Sequence, residues 1–484
     1  MSELPIASFT CMAPVVLVGF LALVGCGKSG ELAVDSGTPD SPPTSDSADT
    51  ATDTATDTTG PDDTASGDDT STPPDTGTSG GDTGAPADDR CAPLPPPSGP
   101  TLRVTPADVG DLQALMAGLE EGTTVLFADG TYALNGVYLW VDTPGVTLRG
   151  ESGDADAVIL DGGYVTTEII TVAAADVTIT DLTLSRAWTH GVHATGGAGG
   201  DVTGVRLHRI AVMDPGEQGV KINSTSDGAY TDDGVLSCSH IELTDAGRPE
   251  VRGCYTGGVD AHKTRGWVVR DNHIEGFWCE SGLSEHGIHF WRENADVVIE
   301  RNTIINCARG IGLGLTDQPG DDVRAHPDIS CPNAGHVDDY RGTVRNNMVF
   351  ADDERLFDSG PGFDTGVSLG AACEATVVHN TVYSTRAPFS SIEWRFEATS
   401  GLVGNNLVSH NLMERTADTV TASGNQDGAG GAEFMDASAG DLRLAAGSGG
   451  LDAGAALGSA APADDWEAEP RSDGAPDVGA DERH

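Results

Sequence analysis

The chain has 484 residues, 26 Lys+Arg against 75 Asp+Glu for a formal charge of −49, 38% hydrophobic and 5% aromatic residues, and 64 glycines. Phosphate recognition needs a basic surface, so this balance excludes a duplex DNA or RNA binder. No apolar run of membrane-spanning length follows the first thirty residues and the glycines keep no three-residue period, which excludes a polytopic membrane protein and a collagen. An acidic, Gly-rich, exported protein is left.

In chain order, the first feature is the apolar stretch from Met12 to Val24, too short to span a bilayer and followed by small residues, as in a secretory signal. Its ending, Leu23-Val24-Gly25-Cys26, resembles the lipobox of bacterial lipoproteins. That resemblance implies a signal peptide over 1–26, a lipid on Cys26, and delivery past the inner membrane to the outer membrane or cell surface, as Gly27 also suggests. An ordinary cleaved signal is the alternative. Residues 27–92 are predicted to be a disordered tether: positions 31–90 carry fifteen acids and one base, Arg90, among Thr, Ser, Pro and Gly. So little apolar surface cannot offset the entropy of ordering. Membrane contact is expected through the lipid anchor only, and the folded domain is expected over 93–484, as a monomer. Residues 91–484 hold 59 acids and 24 bases, near −35.

Beyond Cys11 and Cys26 there are seven cysteines and no CxxC pair, so disulfides formed in an oxidising compartment are predicted rather than zinc. The pairs Cys238–Cys254, Cys279–Cys307 and Cys331–Cys373 are plausible. Seven is odd, so with Cys91 counted at least one thiol stays free or pairs outside the chain.

From residue 177 one phrase recurs: apolar, two residues, polar, one residue, apolar. Its polar positions are Thr180, His208, Ser239, Asn272, Asn302, Asn347, Asn380 and Asn406, at intervals of 26 to 45 residues. A period near thirty signals a repeat architecture. A second phrase trails the first: GVHAT from Gly191, GVKIN from Gly219, GVDAH from Gly258, GIHFW from Gly287, GIGLG from Gly310, GVSLG from Gly366 and SIEWR from Ser391. Period-two alternation without helical periodicity makes each unit two or three short strands. The fold predicted is all-β, a single-stranded right-handed parallel β-helix of about 8–11 coils, like positions lying about 4.8 Å apart along the axis. The Asn column is read as structural. Pro106–Leu119, with Leu112, Leu115, Met116 and Leu119 on one side, is predicted to be a short amphipathic helix capping the first coil. The phrases Pro470-Arg471-Ser472-Asp473-Gly474 and Gly479-Ala480-Asp481-Glu482 resemble the closing segment of extracellular β-helix proteins.

Alternation in the second strand sends Val192, Val220, Val259, Ile288 and their successors inward, so the residues between them face outward in two columns. One runs His193, Lys221, Asp260, His289, Gly312, Ser368, Glu393; the other Thr195, Asn223, His262, Trp291, Gly314, Gly370, Arg395. Residues 91–484 contain only two lysines, Lys221 and Lys263, against 22 arginines, and one of them lies in this patch while the other adjoins it. Crowded proton-exchanging groups are what an active site needs.

Gly258-Val259-Asp260-Ala261-His262-Lys263, followed one coil later by His286-Gly287-Ile288-His289-Phe290-Trp291-Arg292, resembles the paired motifs of mannuronan C5-epimerases. Residues 100–484 more broadly resemble polysaccharide lyases and epimerases of the pectate-lyase-like β-helix class. The epimerase motif has Pro and an acid where Ala261 and Lys263 stand here. The resemblance implies that Asp260 and His262 are the acid and the proton-abstracting base, and that Arg292 neutralises the substrate carboxylate. The C5 proton of a uronate leaves only when its carboxylate is neutralised, by Arg292, Lys221 or a Ca²⁺ ion. A base with a near-neutral pKa then takes the proton, and His262 is suited to that. His193, Lys263, His289 and Trp291 are the candidate substrate contacts. No metal site is assigned; Asp232, Asp233, Asp317, Asp321 and Asp322 are the candidate Ca²⁺ acids, without an EF-hand spacing. The loop 317–340 is placed to wall the groove.

The reading that follows is a surface-tethered protein acting on an acidic polysaccharide by C5 proton abstraction, as lyase or C5-epimerase. Two rivals stand beside it: a glycoside hydrolase pairing Asp260 with Glu285 or Glu393, and a non-catalytic carbohydrate-binding adhesin.

Overall fold

In the computed structural model, residues 89–484 are described apart from 321, 334, 418, 472 and 473. The signal peptide, Cys11, Cys26, almost all of the tether, Asp321 and the Ser472-Asp473 pair lie outside the described residues. No described helix is long and apolar enough to cross a membrane.

One coil shows the plan. Val268–Arg270 runs on one face, the chain turns at Asn272, His273–Glu275 runs on a second face, and a loop leads to His286–Phe290 on the third. A second corner then feeds Val298–Glu300, which pairs in parallel with Val268–Arg270 one coil back. Repetition builds three parallel sheets of twelve, ten and ten strands, in agreement with the predicted β-helix. The alternation of each strand supplies the core. Val259, Ile288, Ile311, Val367 and Ile392 stack in register and are fully buried, as are Ala261, Phe290, Leu313 and Leu369 beside them.

The Asn column is a continuous amide ladder. The Nδ2 of Asn272, Asn302, Asn347, Asn380 and Asn406 each donates to the Oδ1 of the next, over 2.9–3.0 Å, and the ladder runs on to Asn425, which the repeat did not include. The residue before each Asn (Asp271, Arg301, Asn346, His379, Asn405) turns the corner with φ between 52° and 57°. A non-glycine residue there costs about 1–2 kcal/mol, which the ladder offsets by satisfying buried backbone groups around the corner. The first two copies of the phrase need correction. Leu207 pairs with Leu236, so His208 stands beside Ser237, and Thr180 and His208 lie two residues before the ladder position.

The N-terminal cap is half the helix expected. Pro106–Asp111 is a 3-10 segment and only Leu112–Ala117 is α-helical. Thr105 and Asp108 form the capping box that starts the 3-10 segment. Leu112 and Met116 are buried and the helix packs on Leu139–Val141, so the capping role holds. At the other end Val478 and Ala480 fold back onto Leu407, Leu442 and Leu444. Arg471 ties this return down through Glu482 and the Gly479 and Ala480 carbonyls.

The disulfides correct two of three expected pairs. Cys331–Cys373 forms as expected, but Cys91 bonds Cys238 and Cys254 bonds Cys279. Cys238 stands at an outer corner where the Asp89–Cys91 segment crosses; Arg209 and His208 on the preceding coil hold the Cys91 and Ala92 carbonyls there. Cys307, expected to bond Cys279, is the free thiol, buried in the core and with its pKa pushed up to about 12 by burial.

Candidate active site

The sheet that ends with Ser390–Arg395 and Leu412–Glu414 carries the outward columns. Strand register lines up Trp140, Thr171, His193, Lys221, Asp260, His289, Gly312, Ser368 and Glu393, matching the first predicted column. These residues do not stand free in solvent as their outward direction suggested. Asp260 and His289 are 0% exposed and Lys221 6%. The coils bring large side chains so close that they cover one another, and Tyr255 and Trp291 close over the middle.

Asp260 is the hub. Its Oδ2 accepts from Lys221 Nζ at 2.5 Å and from Tyr255 Oη at 3.0 Å. Its Oδ1 accepts from Trp291 Nε1 at 2.6 Å, and His262 Nε2 lies 3.2 Å away. Lys221 Nζ is also 3.3 Å from both His262 Nε2 and Tyr255 Oη. Lys221 and Asp260 face each other on paired strands, His262 directly follows the Gly257–Ala261 strand, and Tyr255 comes from the loop entering it. The Cys254–Cys279 disulfide is fixed next to Tyr255 in that loop.

The packing sets the protonation states. Burial works to raise the Asp260 pKa, but Lys221 and then His262 outweigh it and hold the carboxyl well below its usual range. Burial first, then Lys221, lowers the His262 pKa against the pull of Asp260, so the imidazole is neutral near pH 7. Burial, then Asp260 and Glu285, pushes the Tyr255 phenol up, so it keeps its proton. One ionised carboxylate is thus flanked by an ammonium, a neutral imidazole and a protonated phenol. Such a set can accept a proton at one group and supply one at another.

The other expected residues divide into two groups. His289 stacks on Trp291, with rings 5.5 Å apart and nearly parallel, and its Nδ1 meets Glu285 Oε2 at 2.8 Å. His262 meets the same indole edge-on at 4.5 Å. His193, two coils before His289's neighbour Asp260, bridges Glu168 and Asn223 at 2.9 Å each. Arg292 lies over the Trp291 ring, its guanidinium carbon 4.7 Å from the centroid. It therefore borders the cluster through the indole. Lys263 turns away to the 317–340 loop, where its Nζ holds Asp322 at 2.9 Å.

That loop is fastened along one edge of the site sheet. Arg324 grips Asp232 at 2.6 and 2.7 Å and the Lys263 carbonyl, His326 meets the Glu293 carbonyl, and Cys331 is bonded to Cys373. Asp232 and Asp322, two candidate Ca²⁺ acids, are thereby taken up by Arg324 and Lys263. Neither they nor Asp233 and Asp317 fall in the compact His and carboxylate groups found among the described residues.

Two further residues complete the site. Tyr255 escaped the sequence reading because it precedes the alternating strand, where no column assigns a direction; its position just after Cys254 was the available signal. His286 opens the second motif, and the sequence assigns it no role. It is buried beside His289, ring centroids 4.1 Å apart, with Nε2 3.0 Å from Ser368 Oγ, and burial followed by His289 drives its pKa well below the ordinary value.

The family described as "Right handed beta helix region" matches residues 168–318, which include every residue bonded to Asp260. Among solved structures, the chain is similar to the pectate lyase Pel9A, with a TM-score of 0.53 and 16% identity over 80% of this chain and 97% of that one. It also aligns with a mannuronic acid specific polysaccharide family 6 lyase from human gut microbiota, with a TM-score of 0.42 and 12% identity, covering 67% of this chain and 80% of that one. A third is PfbA, a surface adhesin of Streptococcus pneumoniae, with a TM-score of 0.36 and 12% identity, covering 67% and 90%. No curated protein matches the chain. The chain is a right-handed parallel β-helix, a fold it shares with the pectate lyase Pel9A.

Proposed function

We propose that this protein is a surface-tethered, carbohydrate-active enzyme that acts on an acidic polysaccharide by removing the C5 proton of a uronate residue. The observation that carries the reading is the Asp260 hub with its neutral imidazole, protonated phenol and ammonium. Lys221, aided by Arg292 at the rim, lowers the charge of the substrate carboxylate and stabilises the enediolate that forms. His262 takes the C5 proton as the C5–H electron pair moves into the enediolate. Asp260 orients His262 and stabilises its protonated form, and Trp291 and His289 offer flat surfaces to sugar rings. Tyr255 is the proton donor. Delivered to C5 from the opposite face, its proton gives the epimer; delivered to the C4 oxygen as the C4–O bond breaks and C4=C5 forms, it gives a lyase product.

The hydrolase alternative has less support. Asp260 is held ionised by several donors, while Glu285 is bonded to His289 and Glu393 to Ser390 and Arg415. None of these carboxyl groups is arranged as a free acid–base pair. Incubation with a polyuronate panel tests the reading. Unsaturated-sugar absorbance marks a lyase, exchange of C5 hydrogen from heavy water marks an epimerase, and reducing ends alone mark a hydrolase. Binding with all three silent would replace the proposal with an adhesin. His262→Ala is expected to abolish exchange or elimination, and full activity in that variant would remove the proposed base. The lipid on Cys26 is tested by partition into a detergent phase, which Cys26→Ser should abolish.

A further inference from the structure

We propose that a different face of the β-helix carries a divalent transition-metal site of the zinc class, built from two copies of one phrase, His240-Ile241-Glu242 and His273-Ile274-Glu275. The copies are 33 residues apart in the sequence, one coil of the solenoid, and strand register sets His240 against His273 and Glu242 against Glu275. Ile241 and Ile274 are buried in the core, so alternation turns all four polar side chains outward. The two imidazoles meet edge-on at 4.9 Å, and each Nε2 lies 3.0–3.2 Å from the carboxylate of its own strand. Donor atoms of His240, His273 and Glu275 all lie within 4.8 Å of one another.

Charge balance separates this square from the adjoining sheet. On the adjoining sheet, carboxylates are matched by guanidinium groups: Glu300 by Arg301 and Arg345, Asp271 by Arg301. Among the described residues no Lys or Arg pairs with Glu242 or Glu275, and the two carboxylates stand side by side on consecutive coils. A dication between the coils would relieve that repulsion. Two imidazoles and a carboxylate suit zinc, nickel, cobalt or copper, whereas Ca²⁺ takes six to eight oxygens. Ligands about 2.0–2.2 Å from one ion lie within about 4 Å of each other, so small side-chain rotations close the observed spacing. His240 and His273 are 45% and 40% exposed, which gives an ion a path from solvent and leaves a coordination position for water.

The inference is independent of the proposed enzymatic activity. The test is calorimetric titration of the untagged full chain with Zn²⁺, together with Co²⁺ absorption spectroscopy. One equivalent is expected to bind, with visible Co²⁺ bands of a nitrogen–oxygen site. His240→Ala, His273→Ala and Glu275→Gln should each weaken this binding at least about tenfold, while His289→Ala and His336→Ala, in other His–carboxylate groups, should not. All substituted side chains of the square are surface-facing, and an unchanged Tm without metal confirms that the variants fold. Absence of saturable binding, or binding that persists in the His240→Ala/His273→Ala double variant, would overturn the site.

Discussion

The amide ladder and the Asp260 column are built by the same stacking and behave in opposite ways. From Asn272 to Asn425 identical neutral side chains lie one above another, and each amide both donates and accepts. In the site sheet the same spacing sets unlike groups together: His193, Lys221, Asp260 and His289 follow one another. Like on like gives a satisfied scaffold with nothing to titrate. Unlike on unlike, away from water, gives shifted protonation states. A solenoid can thus hold its frame and its chemistry at one repeat spacing by changing which residue is repeated.

The largest expected break is Asp260→Ala. It leaves Lys221 buried without its counter-charge and removes the acceptor of Tyr255 and Trp291, so it should cost about 3–5 kcal/mol in urea unfolding and abolish activity together. Asn347→Ala removes a buried rung that donates to the Ile299 and Arg345 carbonyls and to Asn380. A loss of about 1–3 kcal/mol with unchanged kcat would separate frame from chemistry. His262→Ala should do the reverse, removing activity for less than about 1 kcal/mol, because its side chain is 19% exposed and Asp260 keeps three other donors.

Acid should also distinguish the two regions. Burial, aided by Lys221 at His190 and by Arg471 at His379, lowers each of these histidines to about 3. Between about pH 6.5, the ordinary imidazole value, and pH 3, the unfolded chain takes up protons that the folded chain refuses. The unfolded state then binds more protons, so stability falls as pH falls through that window. His190 adjoins the site column, and His379 bonds the ladder corner at Asn405. His379→Asn should flatten the acid loss without altering the pH profile of turnover, which His262 would govern. The smallest expected effect is at Cys307: buried and with a raised pKa, it should resist alkylation in the native state while reacting on unfolding.

Much of this arrangement is legible before folding, since strand alternation is local. Val220, Val259 and Ile288 against Lys221, Asp260 and His289 already define a core side and a working side, and five asparagines at repeat spacing define the ladder. The cystine partners are not legible in the same way. Cys91 reaches Cys238 only because the N-terminal segment crosses the outer corner of a coil 147 residues away. Tyr255 is hidden for a related reason: a loop has no period, so its side chain acquires a direction only when the coil closes and the Cys254–Cys279 bond fixes its base.

The order of residues by itself determined a parallel solenoid, its repeat length, its inward faces and the co-location of His193, Lys221, Asp260, His262, His289 and Trp291, because a period-two strand has only two sides. Tertiary structure alone decided that Asp260 is sealed from water, that Tyr255 joins it, that Lys263 serves the loop, and which cysteines meet. Those outcomes depend on distances between coils and on what covers each group, and neither quantity exists until the chain has wound.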